Sequence, residues 1–217
     1  MVSSIPNDVF QYSTYTALTR GFTSGKPRTA DLTTHGTYGI GVYEDGSPML
    51  LLDSTTYKFR DGKAGNAPMH ERLCFTMVTI YAPTFKRDIS PSCSFTMTDL
   101  DSMKMGQDGG VNSLQLFSLD GRFEKLKLEE GTVLEGVVGR LFGFVVPEWM
   151  EGICGPRVFC HAVLMTPEDS NSNAKENMRG GRVTGFETKE ACLRASCCGR
   201  FHLGFPMGKE WDGLSLM

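Results

Sequence analysis

Gly131 to Val146 reads GTVLEGVVGRLFGFVV, and Pro147-Glu148-Trp149-Met150 follows it. Glycine and β-branched residues dominate the first segment, which predicts an extended strand, and the proline opens a helical turn. Downstream, VFCHAVLM at Val158–Met165 reads as a second strand, bounded by Pro156 and Pro167. PEDSNSNAKENMR, from Pro167 to Arg179, is polar and without period, so it is expected as an exposed loop. GGRVTGFE at Gly180–Glu187 resumes as a strand, and Ala191 to Phe205 supplies one or two more.

Upstream the pattern is again mostly extended. Met49–Asp53, Thr55–Arg60 and LCFTMVTIY at Leu73–Tyr81 are strand-like, with Asp61-Gly62 as hairpin chemistry. Leu114–Leu119 and Arg122–Leu128 flank Asp120-Gly121, which reads as another turn. Val9–Leu18 has helical spacing closed by Gly21, Thr29–Thr34 is a second helical fragment, and Met97–Gln107 is a third, started by Thr98-Asp99. His35 to Tyr43 is a glycine-interrupted strand. The fold class expected is α+β, rich in β, with mixed sheets and a few short helices. One unit spanning 1–217 is expected, with sub-halves 1–130 and 131–217.

With 217 residues and 40% apolar side chains, the chain can bury a sizeable core. Lys and Arg number 22 against 25 Asp and Glu, and the net charge of -3 gives no long-range attraction to nucleic acid or anionic lipid. No segment reaches the ~18 apolar residues of a membrane span, and Met1–Phe10 lacks a signal-peptide pattern, so a cytoplasmic protein is expected. The seven cysteines are odd in number, and Cys197-Cys198 are adjacent, which points to reduced, mostly buried thiols. The spacing of Cys197, Cys198 and His202 matches no established zinc pattern.

Three stretches carry a resemblance: FQYST at Phe10–Thr14, HGTYGIG at His35–Gly41 with Leu52-Asp53-Ser54 and Tyr57, and GRLFGFVVPEWMEG at Gly139–Gly152. In order and spacing they resemble the α-acetolactate decarboxylases, from about Val9 to Pro206. The resemblance implies two mixed α/β halves dominated by sheet, a homodimer, and a zinc held by a His-x-His strand and by a histidine after a Gly-Gly pair. Residues i and i+2 of a strand share a face, so such a strand offers two ligands at once.

This chain departs from that pattern. The His-x-His strand is here Phe159-Cys160-His161, and Arg182 follows Gly180-Gly181. One imidazole cannot retain a catalytic zinc, and an arginine has no lone pair to give. The family's catalytic glutamate aligns with Pro48 and its catalytic arginine with Glu129, while its C-terminal glutamate has no counterpart before Met217. No metal and no cofactor are therefore expected.

His161 is either a pocket residue or a hydrogen-bonded core histidine. Arg182 would lower its pKa and offer a fork to a carboxylate or enolate, or else stands on the surface. Together with Glu129 these form the candidate catalytic set. Phe159, Lys127 and His202 are candidates for substrate binding. Lys125, Lys127 and Glu129 share a strand face by the period of two, which also suits a plain solvated face. Cys160 points away from His161. The expected function is metal-free acid-base or shape-directed chemistry on a small carbonyl-containing molecule: cyclisation, isomerisation or decarboxylation in a biosynthetic pathway. Two alternatives stand beside it, a non-catalytic binding or scaffold protein and a true zinc decarboxylase with displaced ligands.

Overall fold

A computed structural model describes residues 6–102, 110–165 and 178–216. The chain opens with β1 (Val9–Tyr12), α1 (Tyr15–Thr19) and a 3-10 helix (Thr29–Thr34). A meander follows: β2 (Tyr38–Tyr43), β3 (Pro48–Leu52), β4 (Thr55–Arg60), β5 (Lys63–Asn66) and β6 (Leu73–Thr79). Then come β7 (Phe85–Ile89), β8 (Phe95–Thr96) and α2 (Met97–Ser102). The long strands are β9 (Gln115–Leu128), β10 (Val133–Val145), β11 (Val158–Met165) and β12 (Arg179–Cys197), with a 3-10 turn (Glu148–Met150) and α3 (Glu151–Cys154) before β11. The chain closes with β13 (Phe201–Gly204) and α4 (Lys209–Asp212).

The described strands form a single mixed sheet, in which β1 and β13 run parallel and the other pairs antiparallel. The β-rich α+β class is therefore correct. Strand β11 pairs with β10 on one side and β12 on the other, and β12 continues onto β9, so β9 to β12 close on themselves. Both faces of these strands are covered. Leu141, Cys160, Ala162 and Leu193 pack in one core cluster, whereas Phe142, Phe144 and Phe159 pack in a second with Phe75. Burial on both faces is why VFCHAVLM and GRLFGFVV are nearly continuous apolar runs without alternation.

Three expectations differ: the separate strands read at Gly180–Glu187 and from Ala191 are one continuous strand, β12, and two further elements change. Val9–Leu18 is not one helix: Val9–Tyr12 is inserted between β6 and β13, and only Tyr15–Thr19 coils. Ser13, at φ 67°, breaks the strand, and the Thr14 side chain caps the helix by accepting from the Ala17 N–H. Nor is Asp120-Gly121 a turn, because β9 runs straight through it. A Cβ on Gly121 would lie 2.3 Å from the Glu190 carbonyl oxygen, so the glycine serves close strand approach. Asp120 spends its carboxylate on Arg140 and Arg194 rather than on its own backbone. By contrast Asp61-Gly62 is a hairpin tip, with φ of 50° and 70° between paired Arg60 and Lys63, the backbone that an Asp-Gly turn supplies. Helix α2 occupies Met97–Ser102; residues 103–109 of that expected helix, and 166–177 of the polar loop, lie outside the described residues.

Candidate functional site

Strand pairing places His161 opposite Arg182 on β12 and opposite Phe142 on β10. Cross-strand partners project to the same face, so the imidazole and guanidinium expected to be neighbours are neighbours. Phe159, two residues before His161, shares that face, and its ring meets the imidazole edge-on at 5.7 Å. The Arg182 guanidinium lies 4.9 Å from the Phe159 ring centre and 5.7 Å from that of Tyr15. Its Nη1 donates to Glu129 Oε1 at 2.5 Å and its Nη2 to the Tyr15 hydroxyl at 3.0 Å. The Glu129 backbone N–H donates to the Arg182 carbonyl, which locks the pair in register.

His161 is buried, with 1% of its surface exposed. Its Nδ1 lies 2.7 Å from the Met49 carbonyl oxygen on β3, and since a carbonyl only accepts, Nδ1 carries the proton. Nε2 therefore holds a lone pair, buried and without a partner among the described residues. Burial away from water pushes the imidazole pKa down to about 3, helped by the neighbouring Arg182 and opposed by the Met49 bond. The direction of this shift favours the uncharged imidazole at neutral pH.

Beside this cluster, Glu129 and Arg182 line a cavity of about 460 Å³, together with Asp45, Arg60, Asp61 and Glu130. Lys127 does not join it: its side chain is exposed, at a β9 position paired with Gly185. His202 stands on β13, which ends the sheet path opposite β11, half exposed and 3.9 Å from Asp8. Cys160 turns into the other core cluster, where burial raises its thiol pKa to about 12. Tyr15 is the residue the sequence did not offer; 167 positions separate it from Arg182, and no local pattern links the two.

The residues present do not fit the zinc that the resemblance implies. One imidazole nitrogen is taken by Met49, and a phenyl ring and a guanidinium stand where two further donors are needed. Among the described residues no three His, Cys, Asp or Glu side chains converge as metal ligands would.

The family model for alpha-acetolactate decarboxylase matches residues 9–133, more than half of the sequence. The chain belongs to the alpha-acetolactate decarboxylase family. The alpha-acetolactate decarboxylase of Methanosarcina mazei is 29% identical over 99% of this chain and 78% of its own length. That of Raoultella terrigena is 26% identical over 53% of this chain and 44% of its own. The fold agrees with the crystal structure of alpha-acetolactate decarboxylase from Bacillus subtilis strain 168, at a TM-score of 0.82 and 19% identity, covering 96% of this chain and 93% of that one. A protein of unknown function from Staphylococcus aureus, similar to alpha-acetolactate decarboxylase, gives a TM-score of 0.78 at 16% identity, covering 92% of this chain and 89% of its own. No helix among the described residues is long and apolar enough to cross a membrane.

Proposed function

We propose that this family member works without zinc, as a lyase or isomerase and cyclase, on a small carbonyl compound with an acidic C–H. One observation carries the reading: where the family's third histidine is expected, the Arg182 guanidinium lies on the Phe159 ring, held by Glu129 and Tyr15 at the rim of a cavity. In this reading Glu129 takes the proton from carbon, and the C–H electron pair moves toward the carbonyl oxygen. Protonating Glu129 dissolves its ion pair with Arg182 as negative charge reaches that oxygen, so the guanidinium follows the charge. Because arginine only donates, the Tyr15 oxygen accepts from it and steadies the guanidinium that meets the enolate. His161 has no proton-transfer role here; it orders the wall by tying β11 to β3.

The burial of His161 favours a second reading, a non-catalytic binding or scaffold protein, since a filled core surrounds that side chain. Exchange of α-protons for deuterium, followed by NMR on a panel of small ketones, separates the two. Catalysed exchange that disappears in Glu129→Gln and in Arg182→Met supports the enzyme; folded protein without exchange on any ketone supports the scaffold. Metal analysis of protein purified without chelator addresses the zinc alternative. Stoichiometric zinc, lost together with activity in His161→Ala, overturns the metal-free reading. The homodimer implied by the resemblance belongs to the same proposal, and sedimentation velocity tests it.

A further inference from the structure

We infer that Asp61 and Glu130 make this cavity selective for uncharged carbonyl compounds over the carboxylate forms of similar molecules, an inference that rests on the small-carbonyl reading above. Six charged side chains line the cavity, four acidic and two basic. Both cations are already matched. Arg182 holds Glu129 at 2.5 Å, and Arg60 lies 3.0 Å from Asp45 and 3.8 Å from Glu71. Asp45 is further tied to the buried Lys58 at 2.7 Å.

The two remaining carboxylates have no ion pair among the described residues. Asp61 sits at the tip of the β4–β5 hairpin, and Glu130 accepts at 3.2 Å from the Thr132 hydroxyl. Glu130 reaches the hairpin tip: a Cβ built on Gly62, the residue after Asp61, would lie 2.6 Å from Glu130 Oε1. Among the side chains that line the cavity, an entering carboxylate therefore finds no unmatched cation and two unmatched anions. To reach Arg182 it would have to displace Glu129, leaving that carboxylate without its partner. A neutral carbonyl needs only an N–H donor, and Arg182, with five donor hydrogens, still has some to give.

The whole chain, titrated by NMR at low ionic strength with methyl acetoacetate and with acetoacetate, tests this. The expected result is binding of the ester about fivefold tighter, the repulsion of two charges roughly 8 Å away across water. Raising the salt to about 0.5 M should narrow that gap, since screening then acts over a few ångströms. The double variant Asp61→Asn, Glu130→Gln should tighten acetoacetate binding about fivefold. Acetoacetate binding as tightly as the ester, or a double variant without effect on it, overturns the selectivity while the small-carbonyl site stands. Binding of neither compound overturns that site and the selectivity with it.

Discussion

His161 couples the site to pH through stability. Its pKa falls from the ordinary 6.5 to about 3 on folding, so between those values the unfolded chain binds the extra proton. Stability from this group is complete above about pH 6.5, declines as the pH falls, and is lost near 3. Over the full window the effect is on the order of 3–5 kcal/mol. Urea denaturation of wild type and His161→Gln at pH 7 and pH 4.5 should therefore show the wild type losing more stability than the variant. Equal losses would mean that the imidazole is not held neutral. Tyr15→Phe keeps the ring packing and removes one acceptor from Arg182, and a stability loss of about 1 kcal/mol is expected in the same assay.

Among the elements, β9 and β12 carry the site, because Glu129 follows the first and Arg182 lies on the second. Their close approach depends on Gly121, and Gly121→Ala would press a methyl group into the backbone of Glu190 and Ala191. Overpacking of this kind costs about 1–3 kcal/mol, and denaturant midpoints should show it. The neighbouring Asp120 binds arginines from β10 and β12, and Arg140 also reaches Asp53 at 2.6 Å. Asp120→Asn should cost about 2–3 kcal/mol, because two partly buried guanidiniums lose their shared anion. Strand β11 was legible from residues alone, since its apolar run lies between prolines and both faces are buried. Strand β1 and the middle of β9 were not. VFQYSTYTAL has helical spacing, but the edges of β6 and β13 impose an extended backbone on its first four residues. Asp120-Gly121 has turn chemistry, but long-range partners claim the carboxylate that a turn would use.

Across the whole molecule, strands from either side of residue 130 are interleaved: β12 pairs with β9, β7 and β8, and β13 with β1. We propose that 1–217 folds as one unit on this account. Denaturation followed by tryptophan fluorescence, which reports Trp149 and Trp211, should coincide with the loss of far-UV circular dichroism. Two separated transitions would show that the sub-halves unfold independently.

The sequence by itself determined the β-rich class and the family resemblance, which implies histidines where Phe159 and Arg182 stand, because composition and motif identity are local properties. Only the tertiary structure decided that His161 is sealed against Met49 and therefore neutral, and that Tyr15 meets Arg182. It also decided that Lys127 and His202 lie outside the cavity. Burial and pairing arise between residues distant along the chain, and desolvation, which sets the proton affinity of a side chain, exists only once those residues have closed around it.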